Sequence, residues 1–247
     1  MFKKIIHTIF TKAGYELTQK NARYSDVSEE FWQLYKQCKD FSMTSMERMH
    51  TLFEAVNYIE KNKIEGDYVE CGVWKGGSSM MAAMAFVQNN SFDRTLYLYD
   101  TFQGMSEPSD KDISIKGQKM MESWKQIKTG DKIFCYSSLD EVKSNINKTN
   151  YPLDKIKYIE GKVETTIPEL IPEKIAILRL DTDWYESTYH EMVHLYPLLT
   201  EKGVLIIDDY GHWKGAREAV DQYFSENNIK TFMHRIDYTG RVIVKTS

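Results

Sequence analysis

Apolar and polar positions along the chain alternate between helical and strand periodicity. Residues 44–61 carry apolar side chains at steps of three and four, which predicts a helix that Thr44 or Ser45 can cap. Beyond it, short β-rich runs are separated by helical stretches, a pattern typical of an α/β fold with a mostly parallel sheet. The predicted strands are residues 68–71, 96–99, 156–159, 175–180, 204–207, 232–234 and 241–244, and the predicted helices between them are 79–87, 139–147, 186–199 and 213–225.

Three further segments complete the predicted architecture. The last two strands are joined through Asp237-Tyr238-Thr239-Gly240, which is too short for a helical crossover but adequate for a hairpin, so one antiparallel strand is expected to end the sheet. Residues 103–130 are polar and weakly periodic, and they are predicted to form an insertion or lid above the sheet. We therefore expect a helical extension over residues 1–43 and one α/β domain over residues 44–247.

Composition and charge narrow the classes of function. The 247 residues are 42% hydrophobic and 28% charged, and the net charge of −4 comes without a basic stripe, which disfavours a nucleic-acid partner. No apolar run reaches the roughly 20 residues that a membrane span needs. Cys38, Cys71 and Cys135 lack the spacing of a zinc site, so reduced thiols are expected. A cytoplasmic enzyme is predicted, with an amphipathic surface helix at the N-terminus as the alternative.

A glycine-rich turn follows the first predicted strand, in the stretch Glu70-Cys71-Gly72-Val73-Trp74-Lys75-Gly76-Gly77-Ser78-Ser79. Trp74 stands where the dinucleotide fingerprint needs its second glycine, and the Walker spacing is also absent, so a pyrophosphate-bearing cofactor is disfavoured. Asp100 ends the next strand and can accept both hydrogens of a ribose diol. Glycine turn and acid together resemble the minimal adenosine site of Rossmann-like methyltransferases. The alternatives, a purely structural turn and an Asp100 that only caps it, stay open.

Four acids follow two consecutive predicted strands: Asp181 and Asp183 after the fourth, and Asp208 and Asp209 after the fifth. If the two strands are neighbours they lie roughly 4.8 Å apart, and their carboxylates meet at one edge of the sheet. Carboxylates that close repel one another unless a cation relieves them, and ligation by oxygen alone suits Mg²⁺ or Mn²⁺ better than zinc. Salt bridges to lysine or arginine are the alternative.

Histidines near these acids are candidates for proton transfer. His212 follows Asp208-Asp209-Tyr210 and can bind an acceptor or assist proton transfer, with a helix-capping or solvent-facing role as the alternative. His190 and His194 are four residues apart on a predicted helix and mimic a metal-ligand pair. Because that helix is expected on the outer face of the sheet, they are not assigned to the site.

In their order and combination, these motifs resemble the macrocin O-methyltransferase family, bacterial enzymes that methylate sugars of antibiotics and related glycosides. The matching stretches span about residues 43 to 225. They are Met43-Thr44-Ser45-Met46-Glu47-Arg48, Gly66 to Ser78, Tyr99-Asp100-Thr101-Phe102-Gln103-Gly104-Met105, Arg179-Leu180-Asp181-Thr182-Asp183-Trp184-Tyr185-Glu186-Ser187-Thr188 and Asp208-Asp209-Tyr210.

The resemblance implies a Rossmann-like methyltransferase fold, S-adenosylmethionine as methyl donor, Mg²⁺ as cofactor and a sugar or glycoside as acceptor. It implies that Asp181, Asp208 and Asp209 hold the metal and that Asp183 is the base. It also suggests a homo-oligomer, while residues 1–42 and 103–130 lie outside the clear match and are expected to set acceptor specificity. The implied cofactor contacts are Thr44, Ser45, Glu70, Gly72, Ser78, Asp100, Thr101 and Phe102, with Arg48 beside the segment that covers the site.

Two other function classes remain open from the sequence. Asp181-Thr182-Asp183 also looks like the Asp-x-Asp signature of metal-dependent glycosyltransferases, although the glycine turn after the first strand disfavours that interpretation. A receiver-like signalling domain has an acidic pocket too, but it needs its acids on early strands, whereas Asp208 and Asp209 come late. Binding of S-adenosylmethionine rather than a nucleotide sugar distinguishes the methyltransferase from the glycosyltransferase.

Overall fold

The computed structural model describes residues 10, 12, 24–128 and 135–246. Helices and strands alternate along this part of the chain, as the hydrophobic pattern predicts. None of its helices is long and apolar enough to cross a membrane. The helices are α1 (Glu29–Cys38), α2 (Met46–Lys61), α3 (Gly77–Gln88), α4 (Met120–Lys128), α5 (Leu139–Ile146), α6 (Val163–Thr166), α7 (Tyr185–Leu195) and α8 (Lys214–Glu226), and the strands are β1 (Asp67–Cys71), β2 (Leu96–Asp100), β3 (Ile156–Glu160), β4 (Ile175–Leu180), β5 (Leu199–Ile207), β6 (His234–Arg235) and β7 (Arg241–Val244).

The described strands form one seven-stranded sheet in the order β3-β2-β1-β4-β5-β7-β6. Strands β1 to β5 pair in parallel. Strand β7 runs antiparallel to both of its neighbours, β5 and β6, so the single antiparallel strand is confirmed. It does not end the sheet, however, because β7 inserts between β5 and the two-residue strand β6. The strand order reverses at β1 and β4, which is where ligands bind in open α/β sheets.

Side chains of the central strands alternate between two faces of the sheet. Val69 and Cys71 of β1 pack into the apolar core that Met192 of α7 and Val220 of α8 complete. The intervening residues point to the opposite face, where Ser79 of α3 hydrogen-bonds with Glu70. This second face therefore carries buried polar groups under the end of the sheet where the candidate site lies.

Two compact units divide the chain, residues 1–33 and residues 34–247. Residues 34–43 belong by their contacts to the unit that contains the sheet, and the division between residues 43 and 44 stays a prediction. A Cβ atom at Gly77 would lie 2.6 Å from the backbone of Phe41. Residues next to the predicted boundary therefore pack against the start of α3, a tertiary contact that no local pattern encodes.

The clearest differences from the predicted elements lie at the end of α7, at the sixth strand and in the lid region. Helix α7 ends at Leu195, and a 3-10 turn (Tyr196–Leu198) leads directly into a longer β5. Pro197 lies in that turn and lacks the N–H that a continuing helix needs. The sixth strand is shifted from the predicted residues 232–234 to His234–Arg235, and Phe232 is 82% exposed. The predicted lid region also contains a helix, α4, which the weak periodicity conceals.

The described part of the segment 103–130 is anchored rather than free. Asp112 is buried, and its side chain accepts hydrogen bonds from the backbone N–H of Tyr185 at 2.8 Å and of Ser109 at 2.6 Å. The indole N–H of Trp184 donates to the carbonyl of Ser106 at 3.0 Å. These contacts fix the segment beside the acidic end of β4, which is the position expected of a cover over the site.

Candidate active site

A cavity of about 400 Å³ opens at the carboxyl ends of β1 to β5. Most of the sequence-predicted site residues line it: Thr44, Gly72, Ser78, Asp100, Thr101, Asp181, Asp183, Asp208, Asp209 and His212. Ser45, Glu70 and Phe102 are not among the lining residues. The structure thus brings together the glycine turn and the acidic edge, which the sequence places more than a hundred residues apart.

The glycine turn is held by a close approach and by Asp100. Gly72 has a φ of +86°, and a Cβ atom there would lie 2.1 Å from the backbone oxygen of Asp181. Asp100 Oδ2 accepts from the backbone N–H of Val73 at 2.7 Å and of Trp74 at 3.0 Å. Asp100 therefore caps the turn, and its carboxylate also lines the cavity, so the structural role and the predicted ribose contact are compatible.

Replacing Gly72 by alanine is expected to reduce the free energy of unfolding by at least about 2 kcal/mol, because the new methyl group adds a clash with Asp181 to the strain of a positive φ. Gly117→Ala is the matched control, since Gly117 has a φ of +82° but a Cβ atom added there would have no neighbour within 4 Å. Denaturant unfolding of both variants separates clash from backbone strain. Equal losses in the two variants would show that the close approach at Gly72 is unimportant.

Three of the residues predicted to contact the cofactor do not line the cavity. Glu70 is buried at 1% exposure, and its carboxylate accepts from Tyr68 Oη at 3.0 Å, from Arg179 Nη1 at 2.8 Å and from Ser79 Oγ. The direct cofactor contact expected at Glu70 is therefore not supplied by this geometry. Ser45 caps α2 by accepting from the N–H of Arg48 at 3.1 Å. Phe102 is buried, and its backbone N–H donates to Asp100 Oδ1 at 2.7 Å.

Asp181, Asp208 and Asp209 form the acidic cluster that the sequence predicts. Leu180 of β4 is paired with Ile207 of β5, so the acids that follow these residues meet at the sheet edge. One oxygen from each of the three carboxylates lies within 4.8 Å of the others, and this is the group of potential metal ligands found within the described ranges. Adjacent strand ends therefore deliver the three acids to one point.

Two arginines accompany this cluster. Arg179 is 2% exposed, and it donates to Asp181 Oδ2 at 2.7 Å and to Asp208 Oδ1 at 2.5 Å. Arg48 donates to Asp208 Oδ2 and, at 3.1 Å, to Asp237 Oδ2. The salt-bridge alternative thus holds for Asp208, both of whose oxygens face a guanidinium group. A charged residue inside the apolar run of β4 was the sequence signal for Arg179.

The remaining acids of the cluster fit a divalent cation. Asp209 Oδ2 is buried and accepts no hydrogen bond from any residue that the structure describes. Burial raises the pKa of Asp209 well above its ordinary value, and the charge of Asp183 adds to the rise. Burial likewise raises the pKa of Asp181 to about 7, against the lowering effect of Arg179. An all-oxygen set with an unsatisfied buried carboxylate oxygen is the donor chemistry that Mg²⁺ prefers.

Asp183 lies beside this cluster with a different set of contacts. Its φ is +70°, so the chain turns after β4 instead of continuing in the extended form expected from the sequence. Asp183 Oδ1 accepts from the indole N–H of Trp213 at 2.9 Å. Burial raises its pKa to about 6, although hydrogen bonding from Trp213 acts in the opposite direction. Asp183 thus adjoins Asp209 of the cluster, and its hydrogen bond from Trp213 distinguishes it from the three clustered acids.

His212 is on the cavity wall, in an aromatic environment. Its Nδ1 atom lies 3.2 Å from Tyr238 Oη, and its ring packs edge-on against Trp213 at a centroid distance of 4.6 Å. Burial lowers its pKa below the ordinary value, and Arg48 adds to the effect. His190 and His194 lie on α7 with ring centroids 4.3 Å apart, and His190 faces the carbonyl of Ile167. This outer helix position agrees with leaving them out of the site.

Sequence reasoning missed the cavity wall that follows β3. Lys162, Glu164 and Ser187 line this part, and Ser187 Oγ donates to Glu164 Oε1 at 2.6 Å. The signal was available, because polar residues directly after a parallel strand point to the ligand-binding edge of the sheet. The described lid segment adds Gly104, Met105 and Ser106 to the opposite part of the lining.

Comparisons with known proteins identify the family of the chain. A family model described as macrocin O-methyltransferase (TylF) matches residues 3–245. The chain is 29% identical over 199 residues to the mycinamicin III 3''-O-methyltransferase of Micromonospora griseorubida, which covers 81% of this chain and 76% of the relative. It is 28% identical to the 8-demethyl-8-(2,3-dimethoxy-alpha-L-rhamnosyl)-tetracenomycin-C 4'-O-methyltransferase of Streptomyces olivaceus, over 81% of this chain and 73% of the relative.

Among solved structures, the O-methyltransferase NovP superposes with a TM-score of 0.74 at 26% identity, over 84% of this chain and 83% of that chain. The Rossmann-like fold expected from the sequence is therefore confirmed. Since the family model covers nearly the whole chain and the site carries the motifs on which the resemblance rests, the chain belongs to the macrocin O-methyltransferase family of S-adenosylmethionine-dependent methyltransferases.

Proposed function

We propose that this enzyme transfers a methyl group to a sugar hydroxyl of a glycoside, a nucleotide sugar or a polysaccharide precursor, with the assistance of Mg²⁺. The observation that carries the proposal is the convergence of the glycine turn, Asp100 and the acidic cluster on one cavity. The rhamnosyl group in the name of a relative supports a sugar acceptor. Membership of the family also removes the glycosyltransferase and receiver-like alternatives.

The proposed donor subsite consists of Gly72, Ser78, Asp100 and Thr101, with Thr44 on the covering segment. S-adenosylmethionine, when bound, supplies an electrophilic methyl group on a sulfonium. Asp100 is positioned to accept the hydroxyls of a ribose while it holds the turn between Val73 and Trp74. The N-terminus of α3 begins beside Ser78 and offers backbone N–H groups to a carboxylate.

The proposed metal ligands are Asp181, Asp208 and Asp209, and Mg²⁺ bound there would lower the pKa of an acceptor hydroxyl. Asp183 removes the proton from this hydroxyl. The oxygen then forms a bond to the methyl carbon while the carbon–sulfur bond breaks and its electron pair stays on sulfur. Because the displacement is in line, holding the acceptor oxygen opposite the sulfur supplies much of the rate. His212, held by Tyr238, is proposed to contact the acceptor.

The test of this function is methyl transfer itself. The purified protein should transfer label from S-adenosylmethionine to members of a panel of glycosides, nucleotide sugars and polysaccharide precursors in the presence of Mg²⁺. Mass spectrometry of the product should place one methyl group on a sugar hydroxyl. Methylation of only non-sugar hydroxyls across the panel would contradict the proposed acceptor class while leaving the family assignment intact.

Asp100→Ala is expected to weaken binding of S-adenosylmethionine roughly 10- to 100-fold, the range for losing hydrogen bonds to a charged group. The parent protein should bind the donor without added metal, since Asp100 lies on β2, away from the acids after β4 and β5. Calorimetry measures both affinities, and Asp100→Asn, which keeps the size and one carbonyl oxygen, should lie between them. Undiminished binding in the alanine variant would remove Asp100 from the donor site.

Acceptor specificity is proposed to reside in the two segments outside the family motifs. Phe41 and Ser42 from the N-terminal part and Ser106 from the lid segment line the cavity, so both segments reach the site. Self-association and a cytoplasmic location remain predictions from the resemblance and the sequence. Mg²⁺ rather than Mn²⁺ is likewise a proposal, because the carboxylate set suits either ion.

A further inference from the structure

Trp213 lies where three parts of the active site meet. It is the residue that precedes α8, its side chain lines the cavity, and it is 9% exposed. Its backbone bridges to Ser114 of the lid segment. Its ring packs edge-on against Trp184, with the ring centroids 5.3 Å apart. The indole is therefore held by the lid segment, by α8 and by the turn that carries Asp183.

The indole N–H of Trp213 donates a hydrogen bond to the proposed base. Indole nitrogen is a donor only, and here it donates to Asp183 Oδ1 at 2.9 Å. The hydrogen bond occupies one oxygen of the carboxylate and limits rotation of the group. The carboxyl group also contacts Asp209, so the indole and Asp209 together set the direction of Asp183.

The neighbouring tryptophan offers a comparison within the same cluster. Trp184 is 2% exposed and packs with Trp213, Met120 and Ala216, but its indole N–H donates to the carbonyl of Ser106 at 3.0 Å. Two buried indoles in one cluster therefore differ in their acceptor. One binds a backbone carbonyl of the lid segment, and the other binds the acid next to the metal cluster.

We propose that Trp213 is a positioning residue that orients Asp183 for proton removal, an inference that rests on the proposed role of Asp183 as the base. Trp213 acts through its N–H on the carboxylate and has no direct part in the bonds that form or break. Loss of this N–H should therefore lower kcat without changing the affinity for donor or metal. The lid segment contributes indirectly, because the bridge from Ser114 fixes the backbone of Trp213.

The first test detects the hydrogen bond without any ligand. In a proton–nitrogen correlation spectrum, the indole resonance of Trp213 is assigned from its absence in Trp213→Phe. Asp183→Ala should move this resonance upfield and speed the exchange of its hydrogen with solvent. The resonance of Trp184, assigned in the same way, should change much less. An unchanged Trp213 resonance would overturn the proposal, because the indole would then have no bond to Asp183.

The second test measures the kinetic role. Trp213→Phe keeps an aromatic ring and removes the donor, and it should lower kcat roughly 10- to 100-fold, the effect of a hydrogen bond to a charged group. The KM for the acceptor and the dissociation constant of S-adenosylmethionine should stay close to the parent values. Trp184→Phe is the matched control for loss of an indole N–H from this cluster, and any loss of kcat that it causes should be additive with that of Asp183→Asn.

A double-mutant cycle then distinguishes positioning from general support of the fold. If Trp213 acts through Asp183, adding Trp213→Phe to Asp183→Asn should cause little further loss of kcat, since residues that act together are not additive. An equal loss in both backgrounds would overturn the proposal. If Asp183→Asn itself leaves kcat unchanged, the proposed base is wrong. If the parent protein fails to methylate sugars, the proposed acceptor is wrong. The spectrum still shows whether Trp213 donates a hydrogen bond to Asp183, because that measurement needs no acceptor.

Discussion

Replacing Asp183 by asparagine is expected to lower kcat by roughly 10²–10⁴, the usual range for losing a general base. Asparagine is close to aspartate in size, and its side-chain oxygen can still accept from the indole of Trp213, so the fold and the local packing should persist. Binding of donor and metal should also persist, because Asp183 lies outside the cluster of Asp181, Asp208 and Asp209. Steady-state kinetics at several concentrations of Mg²⁺ measure the effect.

Asp181→Asn is the matched comparison, two residues away in the same turn. This variant should weaken metal-dependent binding of the acceptor, since Asp181 contributes an oxygen to the acidic cluster. If Asp183→Asn instead shifts only the metal requirement and recovers full kcat at saturating Mg²⁺, Asp183 is a ligand. The proton would then leave by another route, and His212 on the cavity wall would be the next candidate.

The positions in the candidate site that can be predicted from the sequence are those fixed by the sheet. Polar residues after parallel strands meet at one edge, so the positions of Gly72, Asp100 and the three clustered acids follow from recognising the strands and their order. The pairing of Leu180 with Ile207 shows this directly, because it brings Asp181 and Asp208 together. The periodicity of side chains along each strand is sufficient to predict which residues meet at this edge of the sheet.

Tertiary contacts decide what the sequence leaves open. Glu70 precedes the glycine turn and looks like a ligand-binding acid, yet it points below the cavity and pairs with Arg179. Arg48 reaches Asp208 and Asp237 across more than 150 residues of chain, and no local pattern encodes such a pair. The left-handed conformation of Asp183 belongs to a tight turn in which the backbone N–H of Trp184 donates to the carbonyl of Thr182 at 2.8 Å, whereas the sequence predicts an extended stretch.

The arginines change how the metal cluster should be understood. Asp208 is paired with two guanidinium groups, so its charge is compensated without a metal ion. Asp181 has one arginine partner, and Asp209 has an oxygen without a hydrogen bond from any described residue. The negative charge that no described arginine compensates is therefore greatest around Asp209, next to Asp181 and Asp183. A cation at this edge would relieve repulsion that burial makes costly.

Removal of divalent metal is expected to abolish turnover, and Mg²⁺ is expected to restore it. The physical reason is the crowding of Asp181, Asp208 and Asp209 in a buried site. Burial raises the pKa of Asp181 and of Asp209, and the charges of neighbouring carboxylates add to both rises. The measurement is label transfer after exhaustive chelation, followed by titration with Mg²⁺. Elemental analysis should confirm that the treated protein contains no divalent metal before the titration begins.

Thermal unfolding gives a second measure of the same ion, independent of catalysis. Mg²⁺ that binds only the folded protein stabilises it by about 2.7 kcal/mol at a hundred times its dissociation constant, so Tm should rise with the concentration of metal. Asp209→Asn should lose most of this rise because it removes the carboxylate charge with the least local compensation, whereas Asp100→Asn, on the donor side of the cavity, should keep it. Full turnover in metal-free protein would overturn the metal assignment. A rise in Tm that survives Asp209→Asn would instead place the ion away from this cluster.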